Sequence, residues 1–286
     1  MTKNSLDACG LISIEKAILN DVCIGTPLGS LIFDLSQPLD CGQDVSTLAT
    51  FLFRGQQLDA VKSHFQSGDP RIVEALTELI DMAESLMFAG PFSVMQKPNL
   101  RFGQNAHDYQ SLAKYWWPNP GKADAGKYVR QDGKINPECY SDDFDYLRLV
   151  EFAETTVSLA LTAFFTDDRR YAERAAFLIK AWFIDPETRQ NPNFQLAQCV
   201  PGNNKVNFSG TIEARQLIYV IEAIQIVKSM GLFSDKDSRA IENWFEALLD
   251  WMTLSEQGKK AGLAKNNIGY WYDLQCIIYA RFCGRD

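Results

Sequence analysis

Helical rhythm is what constrains this chain most. From Leu48 onward apolar residues keep returning to one side of a helix, and no run alternates over a strand's length. Ile72, Leu76, Leu79, Ile80, Ala83 and Met87 share a face. They follow Asp69-Pro70, an apt opening, because the acid can cap the first N–H groups and proline lacks a donor that would be orphaned there. A second face runs through Leu147, Val150, Ala153, Val157, Ala160 and Phe164. Thr166 stands where it can cap a helix through Tyr171, Ala175, Ile179 and Phe183, which must stop before Pro186. Leu217, Val220, Ile224 and Val227 mark another helix. Ser234 with Asp237 forms a capping box ahead of Ile241, Trp244, Phe245, Leu248 and Met252, and a last helix is expected from Asn266 to Phe282. The prediction is an all-α chain of antiparallel helix pairs. Period alone leaves bundle, solenoid and toroid open.

Two long interruptions break the rhythm. Residues 90–140 contain Pro91, Pro98, Pro118, Pro120 and Pro137, and about fifty residues without a helix is long for a mere connection. The stretch carries His107, Tyr109, Tyr115, Trp116, Trp117 and Tyr128, whereas disordered segments are poor in aromatics. An ordered, site-forming loop is therefore expected. The second interruption, 185–210, is rich in Asn, Gln, Pro and Gly. Residues 1–47 show no period and are read as an irregular lead-in to one domain, 48–286.

Composition narrows the partners. A formal charge of −8 lacks the basic footprint of a nucleic-acid binder, so no nucleic-acid partner is expected. A polyanion could still be held by a local cluster of Arg, Asn and Tyr, since net charge governs only the long-range field. Apolar runs such as Leu31-Ile32-Phe33 fall far short of the ~18 residues of a membrane span, and Met1 to Gly10 leads into no apolar core of a secretory signal. No membrane partner is expected. With two histidines, His64 and His107, and no closely spaced cysteine pair, a zinc site is not expected, and the seven cysteines read as free or buried thiols. Asp142, Asp143 and Asp145 invite comparison with the magnesium-binding acids of terpene cyclases, but Tyr146 stands where the last acid belongs. Acids at a helix start already have a dipole-based explanation.

Three segments remain as carriers of chemistry. The densest runs from Asn105 to Pro120, where aromatic faces sit beside hydrogen-bonding groups, a combination suited to sugars. The second is Lys265 to Asp273, in which Asn267 and Tyr270 are three apart and can point at one spot. Paired asparagines at a helix start are also common caps. The third is Glu213 with Arg215, where the guanidinium can grip a carboxylate or simply form a surface ion pair.

At these segments the sequence resembles the alginate lyase superfamily of uronate-polysaccharide lyases. The resemblance is carried by His107-Asp108-Tyr109 through Tyr115-Trp116-Trp117-Pro118, and by Arg130-Gln131-Asp132-Gly133 with Asn136-Pro137-Glu138. It continues in Asn191-Pro192-Asn193-Phe194 to Gln198 with Pro201-Gly202, and in Asn266 through Gln275. Phe53-Arg54-Gly55 to Asp69-Pro70 is similar to the family's first helix. The resemblance implies an incomplete (α/α) toroid of antiparallel helix pairs with long site-forming loops. It also implies β-elimination at a uronate, with an acidic polysaccharide or oligouronate as partner and no metal or organic cofactor. Carried over by position, Asn267 is the amide that neutralises the sugar carboxylate and Tyr270 a catalytic tyrosine. His107, Tyr115, Trp116, Trp117, Gln198, Arg215 and Asn266 bind substrate.

Two departures temper that implication. The family's histidine after the paired asparagines is Ile268 here, and the family's later helix with an arginine and a catalytic tyrosine would lie beyond Asp286. The resulting expectation is a lyase with weakened or absent turnover. The alternative is a non-catalytic relative that binds oligouronates.

Overall fold

A computed structural model describes residues 48–103, 105–119, 128–203 and 207–285. The expected lead-in, with Cys9, Cys23 and Cys41, lies outside the described residues. The helices are α1 (Gly55–Gln66), α2 (Pro70–Leu86), α3 (Tyr146–Thr166), α4 (Arg169–Phe183), α5 (Gln216–Ser229), α6 (Asp235–Leu254), α7 (Glu256–Gly262) and α8 (Asn267–Phe282). The described residues are mostly helical, as the rhythm predicts.

Caps explain where most of these helices begin. Asp69 accepts the Arg71 N–H and leaves Pro70 in the first turn of α2. Ser234 and Asp237 make the reciprocal capping box of α6. The start of α4 departs from expectation. Thr166 is the last residue of α3, and Asp168 accepts the Arg170 N–H at 3.0 Å instead. Asp167, at φ 57°, reverses the chain between the two helices. The short α7 went unforeseen, because its Glu256-Gln257-Gly258-Lys259-Lys260 run has no apolar period to read. Gly258 is compulsory there: a Cβ would stand 1.7 Å from the Met252 carbonyl oxygen.

Strands, absent from the expectation, do occur. They are β1 (Gln110–Leu112), β2 (Trp116–Pro118), β3 (Tyr128–Arg130) and β4 (Leu196–Cys199). At three or four residues each they are too short to show alternation in sequence. β1 pairs in parallel with β4, and β2 runs antiparallel to β3. The described part of the long loop 90–140 carries β1, β2, β3 and two single-turn 3-10 helices, Val94–Gln96 and Pro137–Tyr140.

The chain divides into two compact units. The first comprises Met1–Ala89, described from Leu48, with Glu154–Ala176 and Glu222–Leu232. Its core contains Leu58, Val61, Ile72, Leu76, Leu79, Leu161, Ile224 and Val227. Glu222 is fully buried in it and receives three backbone N–H groups: Phe51 at 3.0 Å, Leu52 at 3.1 Å and Phe53 at 3.3 Å.

The second unit comprises Gly90–Ala153, Phe177–Ile221 and Phe233–Asp286. An aromatic chain fills it. Phe152 stacks on Trp182 at 4.5 Å, Phe183 meets Trp244 at 4.7 Å, and Phe245 links Phe183 to Tyr279 and Phe282. A buried ion pair, Lys97 Nζ to Asp145 Oδ2 at 3.0 Å, lies in the same unit. Asp145 therefore serves packing, and Asp143 reaches Arg101 and Asn99. Helix α3 is long and apolar enough to cross a bilayer, but 78% of its apolar window is buried inside the protein.

Burial pushes the Glu222 carboxyl up to about 7, against the pull of its three amide donors, and pushes Asp145 up to about 6 against the pull of Lys97. A carboxyl that holds its proton more tightly folded than unfolded stabilises the fold below its unfolded value. That contribution disappears as pH rises through the folded value. The thermal midpoint should therefore decline between about pH 5 and pH 8. Glu222→Gln should flatten the part of the decline nearest neutrality, as read by melting curves across that range. A midpoint that rises over the range contradicts the assignment.

Candidate active site

The site grows from one irregularity in a two-stranded sheet. Gln110 pairs with Leu196 and Leu112 with Cys199, so two steps along β1 match three along β4. The extra residue makes a bulge, and a bulge leaves a backbone N–H without a ladder partner. Here Gln198 is held at φ 50°, and its N–H goes to the Ser111 hydroxyl at 2.7 Å. The Gln198 carbonyl accepts from Asn207 Nδ2 at 3.0 Å, and Asn207 is fixed in turn by Gln257 at 2.8 Å.

Below the bulge lies the 3-10 helix Phe208–Arg215, capped by Asn207. It presses so closely on β4 that a Cβ on Gly210 would stand 2.4 Å from the Ala197 carbonyl oxygen. That approach puts Glu213 beneath β1. Its Oε2 accepts the Tyr109 hydroxyl at 2.8 Å and the Ser111 hydroxyl at 2.6 Å. Glu213 is 1% exposed, and its Oε1 has no hydrogen-bond partner. Burial raises its pKa, while Ser111, Lys114, Tyr109 and the nearby Gln198 amide pull it back. The same burial, with the nearby charge on Glu213, pushes the Cys199 thiol up to about 12. A surface ion pair between Glu213 and Arg215 is excluded by this burial. Arg215 instead donates to the Ile212 carbonyl and lies 5.8 Å from the centre of the Trp271 ring.

The segment before β1 is held from both sides. Lys97 donates to the Ala106 carbonyl at 2.8 Å, and Asp145 accepts the Gln110 N–H at 2.9 Å, so one ion pair clamps residues 106–110. Within the clamp His107 is half-buried, its Nδ1 2.7 Å from the Arg189 carbonyl. A carbonyl can only accept, so the contact keeps a proton on Nδ1 and leaves Nε2 of the neutral ring free to accept. Asp108 takes the Asn191 side chain at 2.8 Å, and Tyr109 packs on Phe194 at 4.7 Å.

Trp116 and Trp117 lie on β2, which pairs with β3, and Tyr115 comes just before β2. Trp117 Nε1 donates to the Lys134 carbonyl, Asn136 Nδ2 to the Trp116 carbonyl, and Gln131 N–H to the Tyr115 carbonyl. Both tryptophans are half-buried and Tyr115 is exposed. The start of α8 offers a second exposed patch. Asn266 is the N-cap and accepts the Ile268 N–H at 3.0 Å, while Asn267 faces solvent in the first turn. Tyr270 is 79% exposed. Hydrogen bonds of residues 115–117 run to Gln131, Lys134 and Asn136, whereas α8 is fastened to the 3-10 helix by Tyr279 donating to the Ala214 carbonyl. Gln198 and Arg215 share that 3-10 helix and its strand. Sequence reasoning missed Ser111 and Lys97. Ser111 was discoverable, since it falls inside the segment that carries the family resemblance.

Comparison with known proteins agrees with this architecture. A family model described as alginate lyase matches residues 93–286, which spans both strand pairs, the 3-10 helix and α8. The chain belongs to the alginate lyase family. It is similar to the crystal structure of an alginate lyase from Bacteroides ovatus at 1.60 Å resolution, with 32% sequence identity and a TM-score of 0.78. That likeness covers 83% of this chain and 62% of the other, so the chain spans less than two thirds of its neighbour's length. No curated protein matches the sequence.

Gln198 supplies a test of the bulge. A non-glycine residue at positive φ costs about 1–3 kcal/mol, most for a β-branched side chain. Gln198→Val should destabilise the protein by about that amount in denaturant unfolding, whereas Gln198→Gly should not. Equal losses in the two variants would show that the conformation is not under strain.

Proposed function

We propose that this chain is a polysaccharide lyase that acts on a uronic-acid polymer of the alginate kind by β-elimination, with turnover weakened at position 268. The observation that carries the reading is the family match across the entire candidate site. In this reading the Asn267 amide donates to the sugar carboxylate and spreads its charge, which makes the C5 proton easier to remove. A base takes that proton, and the free Nε2 of His107 is one available acceptor. The electron pair forms the C4–C5 double bond, the C4–O bond breaks, and the Tyr270 phenol protonates the departing glycosidic oxygen. Asn266, Arg215, Gln198, Tyr115, Trp116 and Trp117 hold the sugar chain, the aromatics by stacking and the others by hydrogen bonds. None of these steps calls for a metal or an organic cofactor.

Ile268, half-buried in the first turn of α8, can neither donate nor accept a proton. Losing one general acid or base commonly removes ~10²–10⁴-fold of rate. This single substitution also favours a second reading, a relative that binds oligouronates without cleaving them.

Incubation with alginate or glucuronan, followed by ultraviolet absorbance of the unsaturated product, separates the two. Slow product formation that Ile268→His accelerates supports the lyase. No product from any uronate polymer at high protein concentration rejects catalysis, and heat on titration with oligouronates then leaves the binding reading standing. Silence in both experiments removes both.

A further inference from the structure

We propose that Glu213 is a positioning residue for sugar binding, acting through the Ser111 hydroxyl to hold Gln198 in its left-handed conformation. The inference rests on the proposed reading of Gln198 as a residue of the sugar groove.

The geometry gives the relay a direction. Ser111 has one hydroxyl proton, and at 2.6 Å from Glu213 Oε2 that proton is committed to the carboxylate. The remaining lone pairs then face the Gln198 N–H, 2.7 Å away. Without the carboxylate the hydroxyl is free to rotate and donate to a nearby backbone carbonyl, as serines commonly do. Gln198 would lose the anchor on its N–H, while its carbonyl kept the Asn207 contact. A left-handed non-glycine residue persists only where its surroundings over-determine it, so removing the anchor on its N–H should loosen it.

Packing alone does not account for Glu213. A carboxylate is costly to bury, and Oε1 is left without a partner in a fully buried position. An apolar side chain of similar size would fill the space at less cost. What it could not do is accept from Ser111. Tyr109 supplies an internal control, because it donates to the same Oε2 but makes no bond to the Gln198 N–H, which goes to Ser111.

Two measurements on the full chain test the relay. Hydrogen exchange at the Gln198 amide reads its anchoring, and calorimetric titration with an oligouronate reads the groove. Ser111→Ala and Glu213→Leu should each speed exchange at that amide and weaken oligouronate binding about tenfold, or about 1.4 kcal/mol. Ser111→Thr, which keeps the hydroxyl, should restore both. Tyr109→Phe should lower the melting temperature while leaving amide exchange and affinity unchanged. If Glu213→Leu does not fold, Ser111→Ala decides alone. The proposal is overturned if the Gln198 amide stays protected in Ser111→Ala. It is equally overturned if Tyr109→Phe weakens binding as much as Ser111→Ala does, because Glu213 would then be general support. A wild-type protein that binds no oligouronate refutes the groove reading and the purpose assigned to Glu213. The exchange data would still judge the hydrogen-bond relay on their own.

Discussion

A buried carboxylate with two hydroxyls on one oxygen is the constraint around which the candidate site is arranged. Burying Glu213 without donors would cost several kcal/mol, so whatever strand lies above it has to supply them. Ser111 of β1 and Tyr109 just before it do so. Once Ser111 is fixed, its oxygen accepts the N–H that the bulge in β4 leaves over, and the parallel pairing of two distant segments is settled. Gly210 completes the arrangement, since any larger residue would push the 3-10 helix away from β4 and draw Glu213 out of reach. Local sequence, sheet register and the placement of Gln198 thus follow from satisfying one anion.

The helices were legible because their signals are local. Period and caps decide α2 and α6, and both can be read within a dozen residues. The strands were not legible. β1 and β4 acquire meaning only when Gln110 and Leu196 meet, 86 positions apart, and nothing within either segment announces the other. The candidate site shows the same division. His107, Gln198 and the paired asparagines could be picked out by resemblance. Glu213 could be noticed, but its role could not be read. From sequence it stands two residues from an arginine and invites an ion pair, whereas folding turns it inward to hydroxyls from a different segment. Thr166 failed for a narrower reason: Asp168, two residues on, is the better placed cap.

Two forms of order hold the segments that carry the candidate residues. The His107 side is clamped by a buried ion pair, Lys97 with Asp145, whose desolvation is offset by the Ala106 carbonyl and the Gln110 N–H. The α8 side is held by neutral hydrogen bonds and close packing, with Gly269 so tight that a Cβ would lie 2.0 Å from the Ala264 carbonyl oxygen. Rigid backbone on both sides leaves the exposed amide of Asn267 and phenol of Tyr270 as the parts able to adjust.

Glu222 carries a consequence for how this chain can be divided. The stretch shared with the family begins at residue 93 and includes Glu222, yet all three amides that satisfy this carboxylate come from Phe51, Leu52 and Phe53. A fragment cut to the family boundary would keep the acid and discard its three amide donors. A version of the protein that keeps these donors must therefore start upstream of Phe51, well before the stretch that the family model matches.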